Sequence, residues 1–239
     1  MKHLLIAAAL SVAATACQAQ TVRIGTEGAF PPYSFIDDSG EIAGFEKDLG
    51  DRLCEMTGLT CVWVTNDWDS IITNLVSGNY DLILAGMTIS DEREAIIDFS
   101  EPYLPPAPSA FVALDPDADT ATGLIAAQAG TVHASYVAET DAVLLEFATP
   151  DEAVAAVRNG EVDAAIADKD YLAPLVAESG GELVFVGKEL PLGKGMGIGF
   201  RKTDSELRAT FDEGLARMKA DGSINELIVK WFGPDAQTW

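Results

Sequence analysis

Short apolar runs alternate along this chain with segments whose apolar residues recur every three to four positions. Residues 22–25 read as a strand. Residues 45–56 read as a helix carrying Phe45, Leu49, Leu53 and Met56 on one face, with Gly58 as its stop. Residues 61–64 read as a strand, 69–77 as a helix and 82–85 as a buried strand. This βαβαβ order predicts a mostly parallel sheet with helices on both faces.

The middle of the chain repeats the grammar. Strands are expected at 124–128, 163–167 and 183–186, with helices at 150–159 and 171–179. SGNYDLILA (77–85) is echoed by NGEVDAAIA (159–167): a helix ends at Gly, a turn ends in Asp, and an apolar strand follows. The Gly suits a left-handed helix terminus. Towards the end, Thr203 to Glu206 reads as a capping box ahead of a stripe of Leu207, Phe211, Leu215 and Met218. Gly222 closes that helix, Ser223 to Glu226 opens another, and Gly233-Pro234 ends it. FVALDPD (111–117) leads into the middle series and GKGMGIGF (193–200) leads out. Two crossings imply a lobe built from both chain ends with a second lobe inserted in it. The expected fold is α/β with two lobes, each a mostly parallel sheet flanked by helices. The divisions are a signal segment at 1–19, lobe one at 20–112, lobe two at 113–194, and a return to lobe one at 195–239. GKGMG lacks the spacing of a phosphate loop.

Composition narrows the function. Residues 1–20 hold a Lys, an apolar run and then small residues, the pattern of a secretory signal. Export to the periplasm is expected, with cleavage after Ala19; lipid attachment through Cys17 is the alternative. The net charge of −23 disfavours nucleic acid and anionic membranes, and otherwise speaks to solubility. Cys54 and Cys61 stand near a helix end and in a strand; an oxidising compartment permits a disulfide there, and two buried thiols are the other reading.

Ligands of open α/β sheets sit beyond the carboxyl ends of the strands. After the strand at 82–85 comes GMTISDER (86–93). Ser90 suits an N-cap, and Asp91, Glu92 and Glu94 suit a helix's positive end. Arg93 opposes the dipole and therefore needs an anionic partner, either a ligand carboxylate or nearby Asp98 or Glu94. Asp168, after the strand at 163–167, either meets an ammonium or caps the next helix. Thr88, Gly86 and Thr131 are placed to complete the hydrogen bonding of a zwitterion, with Gly130-Thr131 opening a helix N-terminus. Phe30 and Trp68 either flank a ligand side chain or lie in the core, and Glu27 meets a cation beyond them.

These segments carry a resemblance. IGTEGAFPPYSF (24–35), GFEKDL (44–49), NDWDSII (66–72), YDLILAGMTISDER (80–93), DFSEPY (98–103), QAGT (128–131), VDAAIAD (162–168), GMGIGFRK and MKADGSINELIVKWFG resemble the family-three extracellular solute-binding proteins. These are the polar amino-acid receptors of bacterial ABC importers, and the likeness spans nearly the whole chain after residue 20. The resemblance implies Arg93 for the α-carboxylate and Asp168 for the α-ammonium, with Thr88 where a site hydroxyl is expected and Gly86 where a backbone carbonyl is. It also implies Thr131 on the second lobe's carboxylate-binding turn, Glu27, Phe30 and Trp68 as readers of the side chain, and a Cys54–Cys61 disulfide. His133 and Ala85 depart from the family pattern, where Gln and Ser are common.

The expected function is cleft closure on an amino acid, cationic or polar, or an opine, with delivery to a membrane permease by a monomer. Neither cofactor nor metal is expected, since His133 is the one His beyond the signal segment. An enzyme on the same scaffold, such as a cyclohexadienyl dehydratase, needs a general acid, and Glu27 or Asp168 is available. A sensor ectodomain is disfavoured by the lack of an apolar anchor after the signal segment.

Overall fold

The computed structural model describes residues 21–239. The expected signal segment at 1–19, with Cys17 in it, lies outside the described residues. The first sheet is assembled from five strands: β1 (Thr21–Thr26), β5 (Thr60–Thr65), β6 (Leu82–Ile83), β7 (Asp98–Phe99) and β13 (Gly199–Phe200). Their order is β5-β1-β6-β13-β7. β1 runs parallel to β5 and β6, and β13 returns antiparallel. A small antiparallel sheet, β2 (Ala29–Phe30), β3 (Ser34–Ile36) and β4 (Ile42–Ala43), folds over one end.

The second sheet holds β8 (Ser109–Ala113), β9 (Leu124–Gln128), β10 (Val143–Phe147), β11 (Ala164–Asp168) and β12 (Val184–Leu190), in the order β10-β9-β11-β8-β12. Again one strand opposes the rest: β8 runs antiparallel to both its neighbours, β11 and β12, while β9, β10 and β11 are parallel. The expected division after residue 112 therefore needs correction. It cuts through β8, whose Ser109, Ala110, Phe111 and Val112 pair with β11. The outward crossing lies earlier, at 100–108, and 111–117 is not a joint, because Phe111, Val112 and Ala113 are buried in the second sheet. The return crossing at 191–198 overlaps the expected glycine-rich stretch at 193–200. The crossings touch one another through an antiparallel bridge between Leu104 and Met196.

Helices cover both sheets for the reasons their sequences give. α1 (Phe45–Thr57) buries Phe45, Leu49 and Leu53, and Gly58 ends it at φ 70°. Truncating one of these core side chains to Ala costs about 2–5 kcal/mol. A 3-10 turn (Trp68–Ser70) leads into α2 (Ile71–Val76), and α3 (Asp91–Glu94) is a single turn capped by the Ser90 hydroxyl. The second lobe adds α4 (Val132–Ala138), α5 (Pro150–Arg158) and α6 (Lys169–Glu178). α5 starts at a complete capping box of Thr149 and Glu152. α7 (Ser205–Asp221) and α8 (Ser223–Phe232) pack back on α1. The capping box expected at Thr203 does not form: Asp204 holds the N-cap position, and the Thr203 hydroxyl donates to the Asp204 carboxylate instead. Ser223 provides no cap either, since the left-handed Gly222 both ends α7 and precedes α8. Cys54 and Cys61 are joined, tying the end of α1 to β5.

Candidate functional site

β1, β6, β9 and β11 all end at the cleft between the lobes, so the residues that follow them converge there. The cleft, counted with the solvent open to it, has an empty volume of about 530 Å³. Glu27, Phe30, Trp68, Gly86, Thr88, Arg93, Thr131 and Asp168 all line it. Gln128, Val132, His133, Ala153, Val154 and the run Ala165 to Ala167 complete the wall.

Arg93 is buried at 7% exposure. Neither Asp98 nor Glu94 is its partner. Its Nη1 donates to the Thr88 carbonyl at 2.8 Å and its Nη2 to the Gly130 carbonyl at 3.0 Å, across the cleft. Glu94 pairs with Lys194 at 2.7 Å instead. The guanidinium carbon lies 5.2 Å from the centre of the Trp68 ring, a cation–π arrangement. Burial lowers the Arg93 pKa to about 10, with the Asp168 charge opposing, so the group stays cationic at neutral pH.

Asp168 sits at the N-cap of α6 without making a capping bond, which leaves its carboxyl for the cleft. Burial raises its pKa to about 7, while Arg93 pulls the other way. His133 lies 3.9 Å from it, and the His133 Nε2 is 2.9 Å from the Ser109 hydroxyl. Burial, reinforced by the Arg93 cation, lowers the His133 pKa to about 3. The imidazole is therefore neutral, and the short distance to Asp168 is not an ion pair.

At the other end of the cleft, Glu27 accepts a 2.6 Å hydrogen bond from Gln128 Nε2 of the opposite lobe. Burial raises the Glu27 pKa to about 7; Gln128 lowers it, and Asp67, Asp69 and Asp151 add to the rise. Phe30 stacks on Tyr33 (4.8 Å between centroids) and on Tyr171 of the second lobe (4.9 Å). Trp68 Nε1 donates to the Gly130 carbonyl at 3.3 Å. Thr131 caps α4, accepting from the Ala134 amide while its hydroxyl donates to the Gln128 carbonyl. Gly86 has φ +60°, and a Cβ there would come within 2.7 Å of the Phe30 ring. Gly is the residue that meets both demands.

Sequence reasoning passed over Gln128 as a side chain. Its position at the end of β9, just before the Gly130-Thr131 turn, was the available signal. The small side chains of Ala153, Ala165 and Ala167 in the wall follow the ordinary pattern of a buried helix and strand.

The family model for bacterial extracellular solute-binding proteins, family 3, matches residues 22–234. The chain belongs to that family. A solved relative is the periplasmic His/Glu/Gln/Arg/opine family-binding protein from Silicibacter pomeroyi, in complex with lysine. It is 60% identical, covers 91% of this chain and 100% of its own, and superposes with a TM-score of 0.90. The L-arginine-binding protein of Pseudomonas aeruginosa is 34% identical over 250 residues, covering 97% of this chain and 96% of its own. The lysine/arginine/ornithine-binding periplasmic protein of Escherichia coli is 29% identical, with 96% and 94% covered. The two sheet-bearing lobes are those of the periplasmic binding proteins. Among the described residues, no helix is long and apolar enough to cross a membrane.

Proposed function

We propose that this chain is the periplasmic receptor of an ABC importer for a cationic amino acid or a related opine, exported through its first 19 residues and working as a monomer. The observation that carries the reading is the arrangement of charge along one closed cleft, lined by buried Arg93 and Asp168 and by half-buried Glu27 together with Phe30 and Trp68. Arg93 takes the ligand's α-carboxylate with the N–H groups it does not spend on Thr88 and Gly130. The amide groups at the Thr131 turn supply further donors. Asp168 takes the α-ammonium, with the Thr88 hydroxyl and the Gly86 carbonyl beside it. Glu27 meets the side-chain cation, and the flanking rings add cation–π attraction of about 0.5–2 kcal/mol.

Arg93, Glu27, Phe30 and Trp68 come from the first lobe, and Asp168, Thr131 and Gln128 from the second. A ligand that touches both sets favours the closed form over the open one, and that difference drives closure. The closed pair of lobes is what a permease would recognise. The protein binds its ligand without altering it, so incubation with prephenate or arogenate is expected to give no aromatic product.

A calorimetric screen of the proteinogenic amino acids and octopine tests the reading. Lysine, arginine, ornithine or an opine is expected to bind more tightly than their neutral counterparts. Equal affinity for lysine and leucine, or no binding of any member of the set, would overturn it.

A further inference from the structure

Glu46 does not line the cleft, yet its carboxyl is wholly buried, at 0% exposure, on the first turn of α1. An acidic side chain in that place is ordinarily solvated. Here one oxygen, Oε1, collects two donors from distant parts of the chain. The Gly86 amide donates to it at 2.7 Å, and the Tyr103 hydroxyl donates to it as well. Oε2 has no partner.

Each donor belongs to something that matters for the cleft. Gly86 lines the cleft and adopts φ +60°. Tyr103 lies in the outward crossing, where its amide donates to the Met196 carbonyl of the return crossing at 3.0 Å. The same turn of α1 grips the aromatic wall. The Phe45 and Glu46 amides donate to the Pro32 and Tyr33 carbonyls, both at 2.9 Å, and Tyr33 carries the stacked Phe30.

We infer that Glu46 is a positioning residue for ligand recognition: its buried Oε1 holds the Gly86 peptide in place and, through Tyr103, ties that wall of the cleft to the interlobe crossings. The inference rests on the amino-acid-binding reading for its affinity readout. An unsupported Gly86 amide would be a buried donor without a partner, and the loop would relax away from the geometry that presents the next carbonyl to the ligand. A hydrogen bond between a buried amide and a charged acceptor is worth enough to alter affinity by about tenfold to a hundredfold.

The test compares wild type, Glu46→Gln, Glu46→Leu and Tyr103→Phe. Lysine and arginine are titrated calorimetrically well below each variant's melting temperature. If the wild type binds neither, the functional reading fails and the positioning role is not what has been refuted. If the wild type binds, Glu46→Leu is expected to lose about tenfold or more. Glu46→Gln, which keeps an oxygen acceptor, is expected to stay within about threefold, and Tyr103→Phe to fall between. Glu46→Leu binding as well as wild type overturns the inference, and so does Glu46→Gln losing as much as Glu46→Leu. Should Glu46→Leu fail to fold, hydrogen exchange of the wild-type Gly86 amide decides. Protection without ligand supports the anchor, and exchange at the rate of an open loop overturns it.

Discussion

On the proposed reading, Glu27 makes discrimination between cationic and neutral ligands depend on pH, with a sign and size that follow from its desolvation. Desolvation holds its pKa at about 7 in the empty cleft. A ligand cation placed beside it favours the ionised form, so binding releases the proton that Glu27 still carries. At pH 8 nearly every molecule is already ionised, and at pH 6 only about one in eleven is. The part of lysine affinity that depends on Glu27 therefore weakens by about tenfold between pH 8 and pH 6. Asp168 and Glu46 also titrate near pH 7, so the raw lysine affinity mixes all three groups. Norleucine has lysine's chain without the ammonium and isolates the Glu27 contribution. Asp168 and Glu46 affect both ligands alike, His133 is neutral throughout, and Arg93 is charged throughout. The ratio of the norleucine Kd to the lysine Kd, measured by calorimetry, should rise by at least about tenfold from pH 6 to pH 8. It should be flat in Glu27→Gln. A flat ratio in the wild type would refute the assignment of Glu27 to the side-chain cation, as would an unchanged rise in Glu27→Gln.

Arg93→Ala is expected to abolish amino-acid binding while near-ultraviolet circular dichroism shows a folded protein, and retained calorimetric affinity would count against its role. Gly86→Ala should weaken binding by about tenfold or more, because a methyl at φ +60° meets the Phe30 ring; unchanged affinity would mean that the loop shifts at little cost. Replacing Cys54 and Cys61 by Ser should lower unfolding free energy in urea by about 2–3 kcal/mol and leave lysine affinity alone, since the bridge lies at the far end of α1. Glu27, Glu46 and Asp168 all have pKa values raised above their usual carboxylate range. Between about pH 4 and pH 7 the native state thus holds more protons than the unfolded one, so stability falls as pH rises through that window. Calorimetric melting of the empty protein should show a lower Tm at pH 8 than at pH 5; the opposite order would contradict burial of these three groups.

Much of the site was legible because the rules that place it are local. Arg93 in the first turn of a helix is electrostatically misplaced, and Asp168 ends a buried strand; both statements need only neighbouring residues. The loop after β6 and the turn after β9 follow from the position of strand ends. What stayed hidden depends on partners far away in sequence. The hydrogen bond between Gln128 and Glu27 spans 101 positions. Glu46 reads as an ordinary acidic residue at a helix start until the loop after β6 covers it. The division at 112 went astray because FVA (111–113) is an apolar run that suits a strand of either lobe, and only its pairing with β11 assigns it. At Thr203 the capping chemistry was present, but Asp204 is nearer the helix start.

The Gly130 carbonyl receives both the Trp68 indole and the Arg93 guanidinium from the opposite lobe. Neither bond includes a cargo atom, so part of the energy of shutting belongs to the empty protein. A transporter that sensed shape alone would answer cargo-free molecules too, hydrolysing ATP with nothing to import. On the proposed transport role, those two bonds would set the noise level of the uptake signal. Weakening them, by Trp68→Phe for example, exchanges some affinity for a cleaner difference between loaded and empty receptors.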